Sequence, residues 1–205
     1  MKKTICIVVL SLLCICLGTL LIFNNDPTHV RDVYHEQLES KYYFSREELA
    51  SEVGRYIKKV APTSVVDPLL LVDLCSKYNI DIRFVLAQGH IESHFGTKGT
   101  AVKTNSVFNV GAYDGHSAKK QIKNGFGYKH PNYSIEPYLK LLTKEYLVDK
   151  TEYELMENFI NIDGKRYASN KKYEDLISEK FRVICTTTNI TNLYNTYMIR
   201  KMILE

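Results

Sequence analysis

The sequence predicts a mostly α-helical domain behind an apolar N-terminal segment, and three observations support this prediction. Apolar residues recur at helical spacing in several stretches after residue 44. Residues typical of helix N-termini precede most of these stretches. Only one long stretch, residues 97–131, breaks the pattern. The composition agrees, because 45% hydrophobic and 24% charged residues are ordinary for a globular protein.

The N-terminus has the order of a membrane anchor. Lys2 and Lys3 precede an uncharged run over residues 4–23, which reaches the roughly 20 residues needed to span a bilayer. Residues 24–26 are polar, so the small residues of a signal-cleavage site are missing. We therefore expect residues 1–23 to stay as an uncleaved anchor in the cell membrane, with a cleaved leader and a secreted protein as the alternative. In both cases the rest of the chain is expected outside the cytoplasm.

Residues 24–43 are polar and predict a stalk, and residues 44–205 have the size of one domain. The net charge of +4 falls to about +2 without the leader, which is too little for the basic patch of a nucleic-acid-binding protein. We expect a monomer that binds no nucleic acid. Cys75 and Cys185 are the two cysteines outside the leader, and the sequence leaves open whether they form a disulfide or remain free thiols.

The first two predicted helices are marked at their N-termini. Ser45 and Glu48 form a capping box, and Pro62 ends the helix that follows. Asp67 and Pro68 supply an N-cap and a first-turn proline for the second helix.

The third predicted helix begins after Asp81 and is stopped by Gly96. Residues 97–131 are rich in glycine, asparagine and aromatic residues, and we predict a β-hairpin there from residues 107–113 and 125–128. Later helices are predicted to start at or near four residues, Ser134, Thr151, Tyr173 and Leu193. Glu154 completes a capping box with the second of these.

Glu92 is the main candidate for chemistry. It lies in the last turn of an otherwise apolar helix, where loss of water and the negative end of the helix dipole both raise the pKa of a carboxyl group. Cleavage of a glycosidic bond requires such an acid, because the leaving oxygen must receive a proton. The alternative is a surface glutamate in a final turn, which the helical pattern alone favours slightly.

Four sequence blocks change this balance. Residues 87–97, AQGHIESHFGT, resemble the AQ…ES-x-W-G signature of glycoside hydrolase family 73, the peptidoglycan endo-β-N-acetylglucosaminidases. Residues 105–111, 128–142 and 165–177 resemble three further blocks of that family, in the family's order. The resemblance extends from about residue 67 to residue 184, nearly the whole predicted domain.

The resemblance implies a lysozyme-like, two-lobed helical fold with a small β-hairpin beside the cleft. It also implies that Glu92 is the general acid and that Tyr167 is the family's tyrosine near the catalytic centre, with a packed core tyrosine as the alternative. Sugar-binding positions are expected at seven residues, His94, Phe95, Asn105, Phe108, Asn109, Tyr113 and Tyr128. A structural role is an equal alternative for the last two. No metal or organic cofactor is implied.

The sequence departs from the family at several positions, two of which bear on the mechanism. It contains no tryptophan, so Phe95 stands where the family has Trp. Residues 97–131 contain a single carboxylate, Asp114. Asp114 would be the base that activates water, or part of an ordinary Asp-Gly turn. In the other route no second protein acid is needed, because the acetamido oxygen of the substrate attacks the anomeric carbon. The sequence does not choose between these routes.

The predicted activity is hydrolysis of the β-1,4 bond after N-acetylglucosamine in peptidoglycan. A muramidase or lytic transglycosylase of the same fold is one alternative, and a catalytically weak glycan-binding or assembly protein is another. A zinc site is disfavoured: His90 and His94 have suitable spacing, but Ile91 occupies the place of a metalloprotease glutamate and no third ligand is evident.

Overall fold

The structure is a computed structural model that describes residues 27–111 and 117–205. The chain divides into two units, one of Met1–Phe44 with Arg200–Glu205, and one of Ser45–Ile199. The predicted anchor, residues 1–23, lies outside the described residues. Within the described part of the chain, no helix combines the length and apolar character needed to cross a membrane.

Helices make up most of the described structure, which confirms the predicted class. They are α1 (Pro27–Val60), α2 (Pro68–Tyr78), α3 (Ile82–Ser93), α4 (Ala101–Thr104), α5 (Ala118–Gln121), α6 (Ile135–Leu141), α7 (Glu152–Glu157), α8 (Tyr173–Thr187) and α9 (Ile190–Leu204). The π-helical turns Ile122–Phe126 and Leu142–Tyr146 continue α5 and α6, and the 3-10 turn Pro131–Ser134 leads into α6.

The predicted caps of α2, α3 and α7 are confirmed. The carboxylates of Asp67 and Asp81 accept hydrogen bonds from backbone N–H groups in the first turns of α2 and α3. Thr151 and Glu154 form the capping box of α7. These side chains satisfy N–H groups that have no partner inside the helix, and this fixes where each helix begins.

Two predicted helix boundaries are wrong. The first helix begins at Pro27 instead of Ser45, so Ser45 is a buried residue inside α1. No proline or glycine interrupts residues 28–44, and the helix therefore continues through most of the predicted stalk. The third helix ends at Ser93, because His94 already adopts a left-handed conformation before Gly96 is reached.

The predicted β-hairpin near residues 107–113 is not seen: the described residues contain no β-strand, and residues 112–113 lie outside them. Backbone groups that a ladder would pair are bonded to side chains instead. The Val107 N–H donates to the Ser134 hydroxyl at 3.0 Å. The Asn105 amide donates to the Tyr128 carbonyl at 2.8 Å. Because these side chains, which are distant in sequence, satisfy the backbone, the segment folds as a series of turns.

The core is centred on α3, which packs against α8. Four consecutive residues of α3, from Phe84 to Ala87, are fully buried, and Phe84 stacks on Phe159 with the ring centroids 5.9 Å apart. Residues 94–111, here called the turn segment, place four apolar side chains in the interior, those of Phe95, Ala101, Val107 and Phe108. The segment after Glu92 is thus irregular in backbone but anchored by buried side chains.

Cys75 and Cys185 are both free, and Cys75 is buried. Burial raises the pKa of the Cys75 thiol well above its usual value. Cys75 and Cys185 are therefore two separate thiols and do not form a disulfide.

Candidate active site

Glu92 lies in the last turn of α3 and is partly buried. Burial raises the pKa of its carboxyl group to about 7, and hydrogen bonds from Tyr173 and Asn109 oppose this rise. The group is therefore close to half protonated at neutral pH. An acid of this strength suits proton donation near neutrality.

Tyr173 makes the shortest contact with the carboxyl group. Its hydroxyl donates to Glu92 Oε1 at 2.6 Å, and it lies at the start of α8. The Gln88 amide, one helical turn before Glu92, donates to the same hydroxyl at 2.9 Å. Tyr173 and Gln88 are site residues that sequence reasoning missed. Both belong to blocks that resemble the family, and Gln88 shares a helix face with Glu92, which is the signal that was available.

Asn109 reaches Glu92 from the turn segment. Its Nδ2 atom lies 2.5 Å from the Glu92 backbone carbonyl and 3.4 Å from Glu92 Oε2. The Thr100 hydroxyl donates to Asn109 Oδ1 at 3.2 Å, which turns the amide nitrogen towards the acid. Asn109 has a φ of 49°, a left-handed conformation that asparagine tolerates better than most residues.

Tyr167 is next to the acid but is not bonded to it. Its hydroxyl donates to the Phe108 carbonyl at 2.7 Å. Its ring stacks on Tyr173, with centroids 5.8 Å apart and an angle of 25° between the planes. Burial raises the pKa of the Tyr167 hydroxyl well above its usual value, so the group stays neutral. The structure thus places Tyr167 between the turn segment and the tyrosine that contacts Glu92.

Phe95 and Phe108, expected to bind sugar, are each only 1% exposed. Phe108 stacks on Tyr138 with ring centroids 3.7 Å apart, and Phe95 packs edge-on against Tyr56. Stacking on a pyranose needs an exposed ring face, and neither ring has one. Both side chains are placed as support beneath the site.

The backbone reverses directly after the acid. His94, Phe95 and Gly96 have φ values of 48°, 54° and 85°, so three consecutive residues are left-handed. Such conformations are costly for residues other than glycine and persist where the surroundings fix them. The Ser93 hydroxyl accepts from the Gly96 N–H at 2.7 Å and donates to the Val107 carbonyl at 2.6 Å. These bonds hold the reversal in place.

His90 of α3 and His94, the residue directly after α3, form a pair. His94 is partly exposed, and its ring centroid lies 4.9 Å from that of His90. His90 Nδ1 is 2.8 Å from the Tyr56 hydroxyl. Burial, with His94 and two lysines nearby, lowers the pKa of His90 to about 4, so this ring is neutral at neutral pH. No group of three metal-binding side chains occurs within the described residues.

Of the remaining predicted positions, two are among the described residues and two are not. Asn105 and Tyr128 are joined by the bond from the Asn105 amide to the Tyr128 carbonyl, and burial raises the pKa of the Tyr128 hydroxyl. Tyr113 and Asp114 lie outside the described residues, so their positions remain predictions. The structure brings together Glu92 and Asn109 directly.

Comparison with known proteins gives one finding. Residues 70–184 match the family model Glucosaminidase, described as mannosyl-glycoprotein endo-beta-N-acetylglucosaminidase. The matched range covers more than half of the chain and contains every residue that contacts the Glu92 carboxyl group. No curated protein and no solved structure matches the chain significantly.

Proposed function

Because the chain belongs to the glucosaminidase family, we propose that it hydrolyses the β-1,4 bond after N-acetylglucosamine in peptidoglycan glycan strands. The observation that carries this proposal is the Glu92 carboxyl group. It is a partly buried acid, its pKa is raised to about 7, and a tyrosine hydroxyl and an asparagine amide hold it in place.

In the proposed reaction Glu92 gives its proton to the glycosidic oxygen as the bond from that oxygen to the anomeric carbon breaks. The oxygen leaves as the hydroxyl of the next sugar. Water adds to the anomeric carbon, and the proton it loses restores the enzyme for the next cycle. General acid catalysis of this kind contributes about 10²–10⁴-fold to a rate.

Two groups are candidates for the second role. Asp114 would activate water from the opposite face of the sugar, as the base of an inverting enzyme does. Alternatively the acetamido oxygen of the substrate attacks the anomeric carbon, and water then opens the cyclic intermediate. An Asp114→Asn variant separates the routes, because it abolishes hydrolysis only if Asp114 is the base.

Tyr167 has a proposed supporting role. Its ring lies against Tyr173, and its hydroxyl bonds the turn segment through the Phe108 carbonyl. We propose that it positions the acetamido side of the sugar near Glu92. The partly exposed His94 and the asparagines Asn105 and Asn109 are the sequence-predicted sugar contacts that fit this placement best.

The test is digestion of purified peptidoglycan by the full-length chain, followed by borohydride reduction and mass spectrometry of the fragments. We expect fragments that end in reduced N-acetylglucosamine. Glu92→Gln keeps the size of the side chain but has no acidic proton, so we expect a loss of about 10²–10⁴-fold. Glu157→Gln is the matched control, since Glu157 is an exposed glutamate at the end of α7.

The other outcomes distinguish the alternatives. Fragments that end in reduced N-acetylmuramic acid would identify a muramidase, and anhydro ends would identify a lytic transglycosylase. Binding of peptidoglycan without cleavage by either the unaltered chain or Glu92→Gln would identify a glycan-binding protein. Cleavage that persists in Glu92→Gln would remove Glu92 from the mechanism.

We also propose that residues 1–23 tether the enzyme to the membrane, with the domain outside the cytoplasm as a monomer. Two basic residues and a long uncharged run support the anchor. Membrane fractionation before and after alkaline washing tests it: an anchored chain stays with the membrane, and a chain with a cleaved leader does not.

A further inference from the structure

We propose that Gln88 and Tyr173 act as a fixed hydrogen-bond chain that directs the transferable proton of Glu92 onto its Oε2 atom. The two residues would be positioning residues, because they act on the substrate only through Glu92. This inference rests on the proposed function for its catalytic meaning, but its geometry and its test do not need a substrate.

The direction of the chain follows from the orientation of the Gln88 amide. Gln88 is completely buried, and its amide nitrogen, which can only donate, lies 2.9 Å from the Tyr173 hydroxyl. The hydroxyl oxygen therefore accepts from Gln88, and its own hydrogen is left for Glu92 Oε1 at 2.6 Å. Gln88 lies on α3 and Tyr173 on α8, so both groups are held by packed helices.

This direction decides where the acid carries its proton. Oε1 already receives the hydrogen of Tyr173, and a second hydrogen on Oε1 would face it across the same 2.6 Å contact. The proton of the neutral acid therefore sits on Oε2. That oxygen is 3.4 Å from Asn109 Nδ2, which can only donate and so cannot take the proton, and the proton on Oε2 is left for the glycosidic oxygen.

The chain also adjusts the strength of the acid. Burial raises the pKa of Glu92, and the Tyr173 hydrogen bond is the larger of the two effects that lower it. A donor hydrogen bond stabilises the charged carboxylate, so its removal makes the acid weaker. An accepting tyrosine would have the opposite effect, because it would stabilise the neutral acid. The sign of the change in a Tyr173 variant therefore reports the direction of the chain.

The experiment is a pH titration of the Glu92 carboxyl group in the full-length chain by infrared difference spectroscopy. The band that is absent in Glu92→Gln is assigned to Glu92. We expect a midpoint of about 7 in the unaltered chain and an upward change of roughly one pH unit in Tyr173→Phe, the size expected for losing one hydrogen bond to a charged group. Phenylalanine keeps the ring, so the packing of α8 on α3 is retained.

Tyr138→Phe is the matched control. The Tyr138 hydroxyl is buried and has no hydrogen-bond partner among the described residues, so its loss should leave the midpoint unchanged. Gln88→Leu removes the donor to Tyr173, and we expect a smaller upward change, because the lost bond makes Tyr173 a weaker donor. Circular dichroism of each variant checks that the helices are intact.

A midpoint that falls or stays the same in a folded Tyr173→Phe chain would overturn the proposal, because it would mean that Tyr173 does not donate to Glu92. The pH dependence of peptidoglycan cleavage adds a second readout. A general acid works when protonated, so activity falls as pH rises through its pKa, and we expect Tyr173→Phe to move this fall to higher pH. Failure of cleavage by the unaltered chain would remove the proposed function and leave the titration result standing.

Discussion

The helices around Glu92 and the turn segment that follows it hold the same carboxyl group in different ways. In α3 and α8 the backbone bonds itself, so the side chains of Gln88 and Tyr173 are free to act on the acid. In residues 94–111 much of the backbone is bonded by side chains, including those of Ser93 and Ser134. The helices supply the hydrogen bond from Tyr173 to the Glu92 carboxyl group, and the turn segment supplies the one from Asn109.

The helices and the turn segment also differ in the interactions that stabilise them. The helical side depends on buried apolar packing around Phe84 and Phe159. The turn segment depends on a few anchors and on three consecutive left-handed residues. The difference teaches that an irregular segment can be as firmly placed as a helix when its apolar side chains are enclosed. Substitutions in each region sharpen or break this comparison.

The largest expected effect is at Phe108. The ring is 1% exposed and stacks on Tyr138, so Phe108→Ala should lower the free energy of unfolding by about 3–5 kcal/mol. Denaturant titration of the full-length chain measures this, with Val102→Ala, an exposed position in the same segment, as the control. A small loss of stability with weakened glycan binding would show instead that the ring is exposed to substrate.

The second effect is on stability as a function of pH. Because folding raises the pKa of Glu92 from 4.5 to about 7, the folded chain binds more protons between these values, and stability is lost as pH rises through this window. Glu92→Gln removes the ionisation, so we expect it to stabilise the fold by about 2 kcal/mol near pH 8, and by little near pH 4. Thermal unfolding at both pH values measures this. A gain that is equal at both would contradict the raised pKa, and Glu157→Gln should show none.

The third effect tests the contact between the two regions. A methyl group at Gly89 of α3 would lie 2.9 Å from the Phe95 ring and 3.4 Å from Phe108. Overpacking costs about 1–3 kcal/mol, whereas alanine gains about 1 kcal/mol of helix propensity over glycine, so Gly89→Ala should destabilise by about 1 kcal/mol. Calorimetry measures this. Adding Phe95→Leu should restore part of the loss, and a Gly89→Ala chain more stable than the unaltered one would show that Phe95 moves freely.

The smallest effect is at Asn109. Its amide lowers the pKa of Glu92 less than Tyr173 does, so Asn109→Gly should raise the titration midpoint only slightly. Glycine retains the left-handed conformation, whereas Asn109→Ala should cost up to about 1 kcal/mol more in stability because of its φ of 49°. Infrared titration measures the midpoint of Glu92, and denaturant unfolding measures the change in stability. A midpoint change as large as that of Tyr173→Phe would show that Asn109 and Tyr173 lower the pKa of Glu92 equally.

The sequence predicts the local features of this site better than the distant ones. Glu92 at the end of an apolar helix and the caps at Asp67 and Asp81 depend on neighbouring residues, and the structure places them as expected. The contact of Tyr173 with Glu92 joins residues 81 positions apart, and no local pattern reveals it.

The errors have physical reasons of the same kind. The β-hairpin was predicted from turn residues and aromatic residues, but Ser134 and Asn105 bond the backbone groups that strands would have paired. Ser45 looked like a helix cap, but it is buried inside α1. The sugar-binding roles of Phe95 and Phe108 that the resemblance implies remain predictions, and the enclosure of both rings depends on tertiary packing.

The long separation between Glu92 and Tyr173 has a consequence for how the chain matures. Closing a loop of this length has an entropic cost, and the contact exists only once α8 has packed against α3. Before then Glu92 is surrounded by water and titrates near its ordinary value of 4.5, so at neutral pH it has no proton to give. Under the proposed function, the incompletely folded polypeptide would therefore be inactive, and completion of the fold would be its activation step.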